Sequence, residues 1–139
     1  MKVTLFRKND AFKLEAKNDS DNSITFDNTA AGGGNDGGFR PMQTLLAAAG
    51  ACSSFDVISI LKKQRIEQFE MTVTVEGERE SGKDANLWKK VHLHFELKGA
   101  VPKEKAQRAV ELSVTKYCSV SKTLEAAGAV VTSSVEVKD

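Results

Sequence analysis

The sequence predicts a single α+β domain over residues 1–139, and three observations support this class. Two long segments alternate apolar and polar residues, as half-buried strands do. Between them and the N-terminus lies a long, nearly uncharged segment that opens at Pro41, a residue favoured at the first position of a helix. No internal repeat and no linker-like stretch divides the chain. The length suffices for one buried core, so we expect one domain.

Three short strands are predicted ahead of the long helix. Residues 2–8, 11–17 and 22–27 each show rough alternation and are separated by turns rich in Asn and Asp. Residues 28–38 follow, with five Gly in eleven positions. We expect a mobile loop without regular structure there. It lacks the Gly-Lys-Ser/Thr ending of a phosphate-binding loop.

The later elements are placed by alternation, proline and glycine. They are, in order, a helix from Pro41 to about Gln64, strands over 69–80 and 87–97, a helix from Pro102 to about Lys116, a helical segment at 119–127 and a strand at 129–137. Gly128 is a plausible residue to end the third helical segment. Both long strands place apolar side chains on one face only, which predicts sheets covered on one side.

The long helix carries a single formal charge, Asp56, over residues 41–61, which is close to membrane-spanning length. Polar residues interrupt it, and an aspartate near the bilayer centre is costly. We therefore predict a helix buried on most sides in a soluble assembly. Small residues fill 47–54 and allow another backbone to approach closely. We predict a homodimer with this helix near its core, because a symmetric partner can cover the face that a sheet leaves open.

Charge, the N-terminal residues and the cysteine count bear on the partners and the compartment of the protein. The chain has 20 Lys and Arg against 19 Asp and Glu, so no basic field indicates nucleic acid or an anionic membrane. The first eight residues lack the pattern of a secretory signal. Two cysteines are too few for a secreted disulfide scaffold, and a reducing cytoplasm is the expected compartment.

The two cysteines, Cys52 and Cys118, are the main functional candidates. Each could be an inert packing residue, since free cysteine is often buried. Alternatively, folding brings them together as a redox pair, with Cys118 resolving a sulfenic acid on Cys52. Asp56 lies one turn after Cys52 and would raise the pKa of that thiol. A reactive Cys52 would then need a cation, for which Arg7 and Arg40 are candidates.

His92 and His94 form a His-x-His pair on one strand, a spacing that can hold a metal. Lys90 and Glu96 share that face, so a solvated polar face is the preferred interpretation. No third ligand can be assigned from the sequence, and no metal site is predicted.

The helix segment from Pro41 to Cys52 and the segment Tyr117-Cys118-Ser119-Val120-Ser121 resemble the OsmC/Ohr family, the osmotically inducible and organic-hydroperoxide-resistance proteins. The resemblance extends over nearly the whole chain, including the N-terminal strands, the Gly-rich loop and the two long strands. Residues 51–61 look closest to the YhfA-like branch. The resemblance implies an OsmC-like fold, with an intertwined homodimer and active sites at the subunit interface.

The family chemistry implied is thiol peroxidation without a metal or organic cofactor. The Cys52 thiolate would attack an organic hydroperoxide, Cys118 would form a disulfide with Cys52, and an external dithiol would reduce it. Active members place a Glu, paired with an N-terminal Arg, where this chain has Met42, and the neighbouring Gln43 is neutral. The alternative is therefore a non-peroxidase dimer with slow thiols that binds small molecules or senses redox state.

Overall fold

Two three-stranded sheets and three α-helices build the fold, which the computed structural model describes over residues 1–139. The elements in chain order are β1 Val3–Arg7, β2 Leu14–Asn18, β3 Ser23–Phe26, α1 Pro41–Lys63, β4 Glu70–Arg79, β5 Trp88–Lys98, α2 Lys103–Leu112, α3 Ser119–Ala126 and β6 Val130–Lys138. The predicted α+β class and the predicted order of the elements are confirmed. The chain divides into two compact units, Met1–Leu45 and Leu46–Asp139.

The first unit is an antiparallel meander in which β2 lies between β1 and β3. Ala16 at its centre pairs with Leu5 on one side and Ile24 on the other, so apolar residues share one face. Several large apolar side chains of this unit are nevertheless exposed, namely Val3, Leu5, Phe6, Phe12, Ile24 and Phe39. A single chain therefore leaves this unit with uncovered apolar surface.

The Gly-rich loop at residues 28–38 is organised around the buried carboxylate of Asp27. The N–H of Asn28 donates to Asp27 Oδ1 at 2.8 Å, while those of Asn35 and Gly37 donate to Oδ2 at 3.1 and 3.0 Å. The segment is a loop, as predicted, and this one acceptor gathers several of its N–H groups.

A short 3₁₀ turn, Ala30–Gly32, lies inside the same loop and is capped by the Thr29 hydroxyl. Gly34 then passes close to the main chain, so that a Cβ on it would lie 2.2 Å from the Asn28 carbonyl oxygen. The absence of a side chain at Gly34 is therefore a steric requirement of the loop.

In the second unit β5 is the central strand, antiparallel to β4 and parallel to β6. The predicted alternation on β5 is confirmed, and its fully buried residues are Val91, Leu93, Phe95 and Leu97. Helices α2 and α3 connect β5 to β6, as a parallel pair requires. Strand β5 contributes Val91, Leu93, Phe95 and Leu97 to the hydrophobic core, and the helices contribute most of the rest.

Helix α1 buries one face, made of residues at helical spacing: Ala49, Gly50, Ser53, Val57 and Leu61. The face fits tightly on β4, since a Cβ on Gly50 would lie 3.0 Å from a methyl of Val75. By length and composition alone, α1 is long and apolar enough to cross a membrane. Within the single chain, 28% of its most apolar stretch is buried. Burial on most sides, as predicted, is therefore not found within one chain.

Helix α2 differs from its predicted bounds at both ends. Pro102 is its N-cap rather than its first residue, because its backbone is extended. The helix does not continue regularly to Lys116, since a π-helical turn occupies Ser113–Tyr117. Such turns insert a residue into a helix and often occur at functional sites.

Candidate active site

The structure brings the two cysteines, both free thiols, close enough for each to act on the ionisation of the other. Cys52 is half-buried on α1, next to Ser53 on the buried face. Cys118 is fully buried at the start of α3. A neutral Cys118 thiol also lies 3.9 Å from the carbonyl oxygen of Ala49, one turn before Ser53 on α1. The pair therefore sits where α1 meets the beginning of α3.

Local backbone geometry makes Cys118 the N-cap of α3. The π-helical turn ends there, and the Cys118 backbone is extended while its N–H donates to the Ser113 carbonyl at 2.8 Å. Its Sγ accepts the N–H of Ser121 at 3.3 Å. Cysteine thus occupies the position where serine or aspartate usually caps a helix. Because the N-terminal end of a helix favours negative charge, this position favours a thiolate.

The pKa of Cys118 lies below that of an ordinary thiol. Burial raises it, but the hydroxyl groups of Ser121 and Ser53, together with the Ser121 N–H, outweigh burial. Contact with Cys52 lowers it further. Three donors on two elements therefore favour the charged form of a fully buried sulfur.

The pKa of Cys52 is raised instead. Burial is the main cause, and the neighbouring Cys118 adds to it. The N–H groups of Val120 and Ser119, in the first turn of α3, act in the opposite direction without cancelling it. When the pair loses one proton, these opposite directions favour Cys118 over Cys52 as the charged sulfur.

Asp56 is bound to the π-helical turn. The Ser113 hydroxyl donates to Asp56 Oδ2 at 2.9 Å and lies 3.2 Å from the Ser53 carbonyl. The carboxylate expected to disturb Cys52 therefore joins α1 to the segment that leads to Cys118.

The two candidate cations are bound within the first unit. The Arg7 guanidinium donates to the carbonyls of Asp10 and Ala11, with the shortest contact at 2.6 Å. Arg40 Nη1 lies 3.3 Å from Asp36 Oδ1. Both side chains thus bind groups in turns and loops of the first unit.

With this geometry established, comparison with known proteins identifies the family. The family model described as OsmC-like protein matches residues 33–134, well over half of the chain. The chain belongs to the OsmC-like family. Protein YhfA of Escherichia coli K12 is 43% identical over 88 residues. That stretch covers 63% of this chain and 65% of YhfA, so just under two thirds of that relative is matched.

Solved structures agree with the OsmC-like fold. A hypothetical protein from Aquifex aeolicus VF5 has a TM-score of 0.79 and 27% identity, covering 99% of this chain and 97% of that one. An organic hydroperoxide resistance protein, OsmC, from Legionella pneumophila has a TM-score of 0.70, with 99% and 95% covered. Its identity is only 15%, so this second likeness concerns the fold alone.

Met42, which the resemblance places where active members have a Glu, is half-buried in the first turn of α1. The next residue, Gln43, has a structural role. Its side-chain Oε1 accepts the N–H of Arg40 at 3.1 Å, directly before the helix. This reach back to the N-cap N–H is half of a capping box and stabilises the start of α1.

The histidine pair makes a polar network with β6. His92 Nδ1 lies 2.7 Å from Thr132 Oγ1, and His92 Nε2 lies 2.9 Å from Ser134 Oγ. His94 Nδ1 shares Ser134 at 2.8 Å. No group of three or more potential metal-ligating side chains occurs in the chain.

A cavity of about 530 Å³ lies along α1, one to three turns beyond Cys52. Its lining residues are Asp56, Ser59, Ile60, Lys63, Gln64, Leu112 and Tyr117. It combines two charged side chains with apolar walls, a combination suited to small amphipathic molecules.

Sequence analysis placed Ser53 beside the Cys52 thiol but missed its relation to Cys118, and it missed Ser121 as part of the site. A signal existed for Ser121, since a helix predicted to begin at Ser119 makes the preceding Cys118 its cap. For Ser53 no local signal existed, because its relation to Cys118 arises only when α1 packs beside α3.

Proposed function

We propose that this protein is a thiol-dependent peroxidase that reduces organic hydroperoxides through a Cys52–Cys118 disulfide. The observation that carries the proposal is the proximity of the two thiols at the N-terminal turn of α3, close enough for each to act on the ionisation of the other. A half-buried thiol next to a buried, charge-stabilised one is what a two-cysteine redox cycle requires. Family membership supports the same chemistry.

The cycle balances with the groups present. Cys52 Sγ attacks the outer oxygen of the hydroperoxide, the O–O bond breaks, and the alcohol leaves with the proton that Cys52 gives up. The Cys118 thiolate then attacks the sulfenic sulfur on Cys52, and hydroxide leaves and takes a proton to become water. An external dithiol returns two electrons and two protons. No metal or organic cofactor takes part.

The active form in this proposal is a homodimer in the cytoplasm. Its support is the apolar surface that one chain leaves open. Phe55 on α1 is 70% exposed, and Leu45 on the same helix is also exposed. An apolar surface of this kind indicates a protein partner, and a second copy is the economical one. Sedimentation showing a monomer at micromolar concentration would contradict it.

A second candidate function is small-molecule binding with slow thiols. The raised pKa of Cys52, caused mainly by burial, and the cavity of about 530 Å³ beyond it favour this alternative. It predicts ligand-dependent thermal stabilisation without oxidation of either thiol.

One experiment separates the two functions. One equivalent of cumene hydroperoxide is added to the fully reduced protein, and the intact mass is followed. A rapid loss of two hydrogens, absent in Cys52→Ser and Cys118→Ser, supports the peroxidase. No mass change over minutes favours the binding protein.

A further inference from the structure

We propose that Ser53 and Ser121 are positioning residues that hold the Cys118 thiolate, so that an external thiol opens the Cys52–Cys118 disulfide by attacking Cys52 and expelling Cys118. The inference rests on the proposed function, because the disulfide belongs to that cycle. It assigns a direction to the reductive half of the cycle and a role to two serines.

The first observation is a pair of orphaned hydroxyl groups. Ser53 Oγ and Ser121 Oγ are fully buried, and neither has a hydrogen-bond partner. Leaving a buried hydroxyl without a partner is costly. Both hydroxyls lie close enough to Cys118 to act on its ionisation. A thiolate at Cys118 is the acceptor that both of them lack.

The second observation is the backbone geometry around the same sulfur. Cys118 caps α3 and its Sγ accepts the Ser121 N–H at 3.3 Å. Ser121 thus presents two donors, its N–H and its hydroxyl, to one atom. Ser53 approaches from α1, so the donors come from two elements.

The third observation is access. Cys118 is fully buried, whereas Cys52 is half-buried. An incoming thiol therefore meets Cys52 Sγ first. In thiol–disulfide exchange the sulfur that leaves faster is the one with the more stable thiolate. Access and leaving-group stability select the same direction.

The step balances as follows. A thiolate of the external dithiol attacks Cys52 Sγ, a new S–S bond forms to Cys52, and the Cys52–Cys118 bond breaks with its electron pair on Cys118. The second thiol of the reductant then attacks its own sulfur in the mixed disulfide, releasing Cys52. The dithiol is oxidised to a cyclic disulfide, and both protein thiols are reduced.

The test uses a disulfide made with diamide, so that it does not depend on hydroperoxide turnover. The oxidised protein is treated with excess glutathione, quenched in acid, and the free thiols are alkylated. Peptide mass mapping should place glutathione on Cys52 and the alkyl group on Cys118. The reverse placement overturns the proposal, and so does the failure of diamide to form the disulfide. If hydroperoxide leaves the thiols unchanged while the mapping gives Cys52, only the proposed function fails.

Variants test the serines. Ser53→Ala and Ser121→Ala should each slow the opening by about three- to tenfold, because each removes one hydrogen bond to the departing thiolate. Ser54→Ala is the matched control, since its hydroxyl donates to the Gly50 carbonyl at 2.7 Å on the same helix. In a Cys52→Ser background, the absorbance of the Cys118 thiolate is followed against pH. The midpoint of this titration should move to higher pH in Ser53→Ala and Ser121→Ala, and should not move in Ser54→Ala.

A purely structural role would leave that pH midpoint unmoved. Equal opening rates in the serine variants and the Ser54→Ala control would overturn the role of the serines. If a serine variant does not fold, the mapping of the unaltered protein still decides the direction of attack.

Discussion

Asp27 in the first unit and Cys118 in the second are both buried acidic groups held by nearby N–H donors. Three loop N–H groups converge on the Asp27 carboxylate. One N–H and two serine hydroxyls act on the Cys118 sulfur. In both places the chain turns sharply around a group that can carry a negative charge instead of burying an apolar side chain.

The difference between them lies in the ordinary acidity of the group. A carboxyl group is ionised near neutral pH with or without its donors, so the donors around Asp27 determine the shape of a loop. A thiol is mostly protonated at neutral pH, so the donors around Cys118 decide whether it is charged. Hydrogen-bond donors around a buried acidic group therefore have a structural role at Asp27, and at Cys118 they can control reactivity.

The largest expected effect comes from removing the thiols. Cys52→Ser should reduce hydroperoxide turnover by more than about 10³-fold, because the attacking sulfur is lost. Cys118→Ser should allow one turnover and then leave a sulfenic acid on Cys52 that over-oxidises. Coupled peroxidase assays with intact-mass analysis measure both. Full activity in Cys52→Ser would show that the site is wrong.

A smaller effect is expected from crowding the Asp27 loop. In Gly34→Ala the new Cβ would lie 2.2 Å from the Asn28 carbonyl oxygen, so the main chain must shift. We expect a loss of about 2–3 kcal/mol in the free energy of unfolding, measured in urea. Gly82→Ala is the control: it has open space but a φ of +78°. Its cost should be about 1 kcal/mol. Equal losses of unfolding free energy in Gly34→Ala and Gly82→Ala would mean that the loop around Gly34 adjusts to the new Cβ without strain.

The Asp27 carboxylate should also make stability depend on pH. The Gly37 N–H lowers its pKa most; burial opposes this, and the N–H groups of Asn28 and Asn35 add to the lowering. Since the folded-state pKa is below the unfolded one, the stabilisation is complete above about pH 4 and is lost as the pH falls through the folded-state pKa.

Asp27→Asn should therefore be less stable than the unaltered protein at pH 6, with the difference shrinking towards pH 3. Urea unfolding at several pH values measures this, with the exposed Asp19→Asn as control. A difference that is the same at pH 6 and pH 3 would exclude the carboxylate charge as its cause.

The sequence was sufficient where the pattern is local. The alternation on β5 placed its buried face correctly, and Pro41 marked the start of α1. The loop at 28–38 was predicted as a loop, but its internal order was not, because that order depends on one side chain accepting bonds from residues up to ten positions away. Glycine content alone cannot show such an acceptor.

The thiol site shows the same limit. Resemblance to a family indicated that Cys52 and Cys118 act together and made Cys52 the thiolate, whereas the pKa directions favour Cys118 as the charged sulfur. That assignment depends on Ser53, which is remote from Cys118 in sequence and adjacent only after α1 packs. The expectation that Asp56 raises the pKa of the Cys52 thiol rested on their spacing along one helix. It did not anticipate that Asp56 accepts a hydrogen bond from the Ser113 hydroxyl.

The smallest expected effect concerns Asp56 and separates its charge from its hydrogen bond. In Asp56→Asn the amide oxygen can still accept the Ser113 hydroxyl, now at 2.9 Å from Oδ2, while the charge is removed. We expect less than about a twofold change in the rate of Cys52 alkylation at any pH, because burial and Cys118 are the main causes of its raised pKa. Asp56→Ala also removes the acceptor and should cost about 1–2 kcal/mol of stability. A marked acceleration of alkylation in Asp56→Asn alone would instead show that the carboxylate suppresses the Cys52 thiolate. The ionisation of the two thiols would then depend on a side chain of α1 rather than on the N-terminal turn of α3.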